Sequence, residues 1–290
     1  MRNLKRALSL ALAAIMLIGM MVVSACAVSY NDLTDKDQIV NKDAVSMLVS
    51  LGIIEGKPDG SYGPTENVDR AQMAKMLSVI MNKGVDNSAL YQSVNSGLVD
   101  VNTNWAKGHI NYCYTTGIIA GRGNGKFDPS ATVTALEAAK MLLVAVGYDP
   151  KIEGFEGADW AINVSVRADE QGIFEGFTKD LSAPLNRDDA ALLIYNALDV
   201  EMIQSYTTNN YPIVYSDHRT ILSDKYGVIK VQGVVVANEW ASLASDDGDA
   251  ALKEGKTTIY NGEGIFSTTG NTTVSKEDAS LKTQTFNVST

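Results

Sequence analysis

The chain repeats one stretch of sequence at a fixed distance, and this repetition limits the possible folds more than any other feature. Gly52 corresponds to Gly117 and Leu77 to Leu142, a constant offset of 65 residues between segments 52–77 and 117–142. A third, more divergent copy occupies 172–198. Such a repeat indicates one structural unit used several times, which buries its apolar face only by packing against its neighbours.

Each of the first two copies contains a tight turn. Asp59-Gly60 and Asn124-Gly125 are dipeptides that readily supply the positive φ angles of such turns. We therefore expect Gly60 and Gly125 to serve first as turn residues.

An amphipathic helix is predicted in the second half of each of the three copies. Its apolar residues recur at spacings of three and four, which places them on one face. A capping residue precedes each helix, and Gln, Glu or Asp follows three positions later, as in a capping box. The predicted N-cap residues are Asp69, Thr134 and Asn186.

Another helix is predicted ahead of each loop, over 43–51, 105–116 and 160–171. Each of these helices is followed by a glycine, the residue that most often ends a helix. These glycines are Gly52, Gly117 and Gly172. One unit is therefore a helix, a glycine-rich loop, a short extended piece and a second helix.

These units resemble the S-layer homology domains of bacterial cell-surface proteins. The second copy carries the pattern of that family most fully, in Val99-Asp100-Val101, Trp105-Ala106, 117–121 (Gly-Ile-Ile-Ala-Gly) and 124–129 (Asn-Gly-Lys-Phe-Asp-Pro). The first copy adds Tyr30-Asn31-Asp32 and 68–72 (Val-Asp-Arg-Ala-Gln), and the resemblance extends over about 30–199.

The resemblance implies a mostly α fold, in which three tandem helix-loop-helix repeats form a pseudo-threefold bundle. It also implies non-covalent binding of secondary cell-wall polysaccharide, often pyruvylated, without catalysis and without a cofactor. The copies depart from the family pattern in three ways. Ala135 replaces an arginine, the third copy lacks the Asp-Gly turn, and the first copy lacks the tryptophan. We therefore expect only one or two of the grooves between repeats to bind ligand.

Candidate ligand-binding residues follow from the same resemblance. A helix-start arginine can hold a carboxylate through two hydrogen bonds, and the backbone amides at helix N-termini can add to such a site. Tryptophans stack on sugars or act as core wedges between repeats, and the aspartates contact ligand hydroxyls or cap loops. The candidates are Arg70, Arg187, Asp32, Asp100, Trp105, Trp160, Gly60 and Gly125.

The N-terminus predicts export. Basic residues precede an apolar run over 7–23, and Ala25-Cys26-Ala27 has the small-x-small pattern of a cleavage site. Residues 1–27 are therefore predicted to be a signal peptide cleaved near Ala27. Two alternatives are lipoprotein processing at Cys26, since 23–26 resembles a relaxed lipobox, and a retained membrane anchor.

The predicted organisation is a signal peptide (1–27), three repeats (28–81, 98–146 and 154–200) and a β-rich region (205–290). In the last region, β-branched runs alternate with polar, glycine-containing turns, a pattern typical of strands. The chain ends at Thr290 within a strand-like run. We therefore expect this region to be incomplete and the protein to continue past Thr290.

Composition narrows the function. The net charge is −10 and no basic patch is present, which argues against nucleic-acid binding. The sequence has no Cys/His cluster with zinc spacing and no nucleophile-elbow context, and the acidic run 246–249 lacks the other ligands of a calcium loop. No catalytic or metal-binding residue is predicted.

Cys113 lies on the apolar face of a helix and is predicted to be a core residue.

Three functions remain open. The favoured one is a non-catalytic anchor in the cell wall or S-layer, which displays the C-terminal region at the surface. The second is an exported enzyme that the repeats anchor, with catalysis outside 1–290. The third is an assembly or adhesion module that associates with itself or with other surface proteins and binds no glycan.

Overall fold

The computed structural model describes residues 29–237 and four short segments, 258–260, 265–267, 272–275 and 284–289. Six of its helices form three consecutive pairs. The pairs are α1 (Lys42–Ser50) with α2 (Arg70–Met81), α3 (Lys107–Thr115) with α4 (Ala135–Val146), and α5 (Trp160–Glu170) with α6 (Arg187–Ala197). We call each pair, with the loop inside it, a unit.

The helix boundaries agree with the predicted ones to within two residues. The largest difference is at the start of α3. The first helix of the second unit begins at Lys107 and not at Trp105. The Asn104 side chain accepts a hydrogen bond from the Ala106 amide at 2.8 Å. This local turn holds Trp105 outside the helix.

The predicted capping residues act as caps in all three units. Asp69 and Thr134 each complete a capping box with the residue three positions on. Asn186 accepts a hydrogen bond from the Asp189 amide, but the Asp189 carboxylate pairs with Lys179 and does not return to the cap. The third capping box is therefore only half formed.

The second helix of each unit packs against the first helix of the next: α2 against α3, α4 against α5, and α6 against α1. The extended pieces before the second helices are also joined. The Val68 amide donates to the Leu185 carbonyl (2.8 Å), Val133 donates to Val68 (2.9 Å), and Leu185 donates to Val133 (2.8 Å). These three hydrogen bonds form a closed ring.

Helix N-termini at this ring are already hydrogen-bonded. The Arg70 amide donates to the Ala131 carbonyl and the Arg187 amide to the Glu66 carbonyl, at 2.9 and 2.8 Å. The next amide of each helix also donates to a carbonyl of a neighbouring unit. The expectation that these amides assist ligand binding is therefore wrong, because they hold the units together.

A single hydrophobic core runs through all three units. Its largest buried side chains include Tyr62, Phe127 and Phe155, and Cys113 is buried among them as predicted. The same core includes Ile203, Ile221, Leu222 and Val228, which come after the third unit. The start of the C-terminal region is therefore packed on the helical part of the molecule.

The C-terminal region contains the predicted strands and one helix that was not predicted. A hairpin joins β1 (Ile203–Tyr206) to β2 (Pro212–Val214), and α7 (Ile221–Tyr226) follows. The remaining strands form an antiparallel sheet in the order β5-β4-β3-β7-β6. They are β3 (Val228–Ala237), β4 (Thr258–Tyr260), β5 (Ile265–Ser267), β6 (Thr272–Ser275) and β7 (Gln284–Ser289).

Within the described part of the chain, no helix has both the length and the apolar character needed to cross a membrane. The predicted signal peptide, the alternative lipid attachment at Cys26 and the acidic run 246–249 lie outside the described residues.

Candidate functional site

Arg70, the first residue of α2, is held by the loop of the next unit. Its Nε donates to the Phe127 carbonyl at 2.8 Å, and one terminal nitrogen donates to the Ala120 carbonyl at 2.9 Å. The guanidinium lies 4.3 Å from the centre of the Phe127 ring, and the residue is only 4% exposed. Burial lowers the pKa of Arg70 to about 10, so the side chain remains a cation at neutral pH.

A cavity of about 490 Å³ lies beside this arginine. All three units contribute to it: Arg70 from the first, the loop and α4 from the second, and Trp160 from the third. Residues 155–157, in the connection between the second and third units, complete the lining. We call this cavity the Arg70 groove. The charged and aromatic residues that define it are Arg70, Arg122, Glu137, Lys140, Glu156 and Trp160.

The cations of the Arg70 groove differ in how they are paired. Arg122 forms an ion pair with Glu137 at 2.8 Å. Lys140 donates to the Phe155 carbonyl and lies 5.6 Å from the centre of the Trp160 ring. Among the described residues, neither Lys140 nor Arg70 has a carboxylate within 4.0 Å. Burial lowers the pKa of Lys140, and the charge of Glu156 partly offsets this effect. The groove thus holds two cations without a carboxylate partner.

Arg187, at the start of α6, repeats the geometry of Arg70. Its Nε donates to the Tyr62 carbonyl at 2.8 Å, and its guanidinium lies 4.8 Å from the centre of the Tyr62 ring. By position in the repeat, Lys57, Lys75 and Trp105 correspond to Arg122, Lys140 and Trp160. We call the surface with these residues the Arg187 groove.

The corresponding positions of the remaining groove are all uncharged and lack a tryptophan. They are Ala135 for the helix-start arginine, Phe177 for Arg122, Leu192 for Lys140 and Val40 for the tryptophan. Val40, Leu192 and Tyr195 line a shallow cavity between α1 and α6. The missing arginine and the missing tryptophan, which looked like separate departures in the sequence, therefore belong to one groove.

The two candidate tryptophans, Trp105 and Trp160, have different environments. Trp105 is 58% exposed, which excludes the interpretation of this residue as a core wedge. Trp160 is half-buried, packs against the core and also lines the Arg70 groove. Both rings are thus accessible at the surface, as a sugar-stacking residue must be.

The candidate aspartates accept hydrogen bonds from backbone amides and thereby hold loops in place. Asp100 accepts hydrogen bonds from the Phe127 and Asp128 amides at 2.9 and 2.8 Å. Asp35, 65 residues earlier, accepts from the amides of Tyr62 and Gly63 at 2.7 Å each. Asp32 instead accepts from the Ser29 amide within a short 3₁₀ turn. Asp32 is therefore not the counterpart of Asp100, and the constant repeat offset identifies Asp35 correctly.

The two turn glycines behave as predicted. Gly60 and Gly125 have φ angles of 81° and 68°, and neither lines the Arg70 groove. Their carbonyls accept hydrogen bonds from the amides of Thr34 and Val99. These glycines shape the loops on which the groove is built.

Two groove residues, Lys140 and Arg122, were not among the sequence candidates. The signal for Lys140 was available, because a lysine stands at the same position of the otherwise apolar helix in the first copy, at Lys75. Arg122 likewise corresponds to Lys57. A basic residue kept at one repeat position marks a groove as clearly as the helix-start arginine does.

Comparison with known proteins bears on the same segments. The family model of the S-layer homology domain matches residues 29–74 and 99–139. A cell surface protein of Thermoanaerobacter kivui is 29% identical over 273 residues, which cover 92% of this chain and 32% of that protein. An S-layer protein of Bacillus licheniformis is 34% identical over 113 residues, which cover 39% of this chain and 12% of that protein.

An exoglucanase of Acetivibrio thermocellus, XynX, is 28% identical over 188 residues, which cover 60% of this chain and 16% of the enzyme. The chain thus spans a third or less of the length of each of these relatives. Two of its segments match the model of the S-layer homology domain, and the chain is similar to bacterial cell-surface proteins. These similarities support a location at the cell surface or in the cell wall.

Proposed function

We propose that this protein is a non-catalytic cell-wall anchor that binds an acidic secondary cell-wall polysaccharide, such as a pyruvylated one, in the Arg70 groove. The observation that carries the proposal is the pair of cations, Arg70 and Lys140, which lie in one cavity with the Trp160 ring and have no carboxylate within 4.0 Å in the part of the chain that the structure describes. The S-layer homology domains and the surface-protein relatives support the same function.

The three units are proposed to form a pseudo-threefold bundle. The closed ring of hydrogen bonds through Val68, Val133 and Leu185 supports this arrangement, as does the packing of each second helix on the next unit. The third unit lies outside the residues that the family model matches, yet it supplies Trp160 to the Arg70 groove. The groove is therefore a property of three units together.

Each groove residue has a distinct role in the proposal. The Lys140 ammonium and the free N–H groups of Arg70 hold the acid group of the glycan, since a charge-assisted hydrogen bond is stronger than a neutral one. The Trp160 ring packs against the apolar face of a sugar. Because the net charge of the chain is −10, these local cations, and not long-range attraction, must hold the ligand.

The wider setting of the anchor is also part of the proposal. Residues 1–27 direct export, with lipid attachment at Cys26 as the alternative, and the region from 205 onward is displayed at the surface. The similarity to an exoglucanase favours one further candidate, an exported enzyme whose catalytic part lies outside 1–290 and which the same groove anchors. Both candidates require the groove to bind the wall.

Substitution of Lys140 tests the site. We expect Lys140→Gln to weaken binding to purified cell walls of the producing bacterium about tenfold, because it removes a partly desolvated cation from the centre of the groove. Wall binding is measured by co-sedimentation over a range of protein concentrations. The matched control is Lys151→Gln, which makes the same change of charge at an exposed position outside the groove. Equal binding by both variants would contradict the site assignment.

A further inference from the structure

Lys75 and Lys140 occupy the same position in two successive units but have different partners. The Lys75 ammonium lies 2.9 Å from a carboxylate oxygen of Glu55. Lys140 forms no such ion pair with any described residue, and the residue that corresponds to Glu55 in its unit is Ala120. A single substitution between the copies thus separates a paired lysine from an unpaired one.

By its position in the repeat, Glu55 is expected to face the Arg187 groove. Its counterpart Ala120 lines the Arg70 groove, and the Ala120 carbonyl accepts a hydrogen bond from Arg70. A carboxylate on this loop position therefore projects toward the place where the acid group of a ligand must lie. Glu55 is well exposed and its ion pair with Lys75 is at the surface, so the pair contributes little to folding stability.

The Arg187 groove otherwise keeps the features of a binding site. The Arg187 guanidinium packs on the Tyr62 ring as that of Arg70 packs on the Phe127 ring, and the Trp105 ring is exposed. This groove differs in kind from the remaining one, in which the corresponding arginine, lysine and tryptophan are all absent. The Arg187 groove therefore has a counterpart for each cation and for the tryptophan of the Arg70 groove, but its central lysine is already paired with a carboxylate.

We propose that Glu55 is an internal counter-ion that keeps acidic ligands out of the Arg187 groove. The inference rests on the proposed function. The Glu55 carboxylate both occupies the Lys75 ammonium and repels a second negative charge, and like charges placed together in an interface weaken binding strongly. The wild-type chain then binds the acidic glycan at one groove, and removal of the Glu55 carboxylate opens a second.

Ligand binding in the two grooves can be followed separately, because Trp160 lies in the Arg70 groove and Trp105 belongs to the Arg187 groove. The full-length protein is labelled with 5-fluorotryptophan, and its ¹⁹F resonances are assigned with the Trp105→Phe, Trp160→Phe and Trp240→Phe variants. The probe is a methyl hexoside that carries a pyruvate ketal. In the wild type, we expect the Trp160 resonance to shift with saturation and the Trp105 resonance to stay unchanged.

In the Glu55→Ala variant, we expect the Trp105 resonance to shift as well, with an affinity within about tenfold of that at Trp160. The matched control is Glu175→Ala, which removes a carboxylate from the corresponding position of the third unit and should open no site. The converse variant, Ala120→Glu, should weaken the response at Trp160 about tenfold.

Two results would overturn the inference. One is a Trp105 response in the wild type as strong as that at Trp160, and the other is no Trp105 response in Glu55→Ala. If the wild-type Trp160 resonance does not shift while Glu55→Ala gives a response at Trp105, the counter-ion role stands and the assignment of the Arg70 groove is wrong. Absence of a response in every variant contradicts both.

Discussion

At the residue scale, Arg70 shows how one charged side chain is used in packing and, under the proposed function, in binding as well. A guanidinium has five N–H donors, and two of those of Arg70 bond to the Ala120 and Phe127 carbonyls. These bonds tie the first unit to the loop of the second. The rest of the group borders the groove, so the cation is fixed in place before a ligand arrives.

We expect Arg70→Ala to lower the free energy of unfolding by about 2 kcal/mol, because it leaves two carbonyls without their charged donor. Urea unfolding of the purified protein measures this. Arg122→Ala is the comparison, since Arg122 lines the same groove but is well exposed and forms an ion pair with Glu137 at the surface. It should cost less than about 1 kcal/mol. Equal losses in the two variants would show that the buried contacts of Arg70 do not stabilise the fold.

The sequence predicted Arg70 as a candidate but not its surroundings. A helix-start arginine is visible in a local motif, whereas its carbonyl partners are contributed by a loop about 50 residues further along the chain. Asp35 was missed for another reason. A nearby motif drew attention to Asp32, although the repeat offset places Asp35 opposite Asp100.

At the element scale, the contact between α2 and α3 contains a buried polar cluster. The Ser78 hydroxyl donates to the Lys75 carbonyl at 2.9 Å, so the His109 Nδ1–H must donate to Ser78 Oγ, which lies 2.6 Å away. In the neutral ring, Nε2 is then unprotonated and lies 3.6 Å from Asp86. Burial lowers the pKa of His109, although the charge of Asp86 opposes this shift.

This cluster predicts a loss of stability in mild acid. The folded-state pKa of His109 lies below the ordinary value of 6.5, so below about pH 6.5 the unfolded chain binds the proton more readily. Stability should therefore be constant above this pH and fall as the pH decreases toward the folded-state pKa. We expect His109→Gln to reduce this pH dependence, measured by urea unfolding between pH 7.5 and 5. The control is His218→Gln, at an exposed histidine. An unchanged slope in His109→Gln would exclude the cluster as its source.

Elements with a strong local signal were predicted well. The six helices of the units have apolar periodicity and one further signal each: a capping side chain before α2, α4 and α6, and a glycine shortly after α1, α3 and α5. The helix α7 was missed because its six residues are too few to show a helical period, and a β-rich pattern surrounds it. The grooves could not be located from one copy, because each is assembled from elements that are distant in sequence.

At the scale of the whole molecule, the chain behaves as one ring of units with a C-terminal extension packed on it. The ring through Val68, Val133 and Leu185 joins the first unit to the third, and the Tyr226 hydroxyl donates to the Ile80 carbonyl at 3.2 Å. Under the proposed function, binding in a groove between units therefore depends on the integrity of the entire ring. A wall presents many copies of its glycan, so anchors held at one groove each can still be retained collectively when several are linked.

The measurement that tests the central claim most directly is co-sedimentation of the purified protein with cell walls of the producing bacterium. Native walls are compared with walls from which the secondary polysaccharide has been removed chemically. We predict saturable binding to native walls and loss of that binding on stripped walls. Equal binding to both preparations, or no binding to either, would contradict a glycan anchor and favour an assembly module.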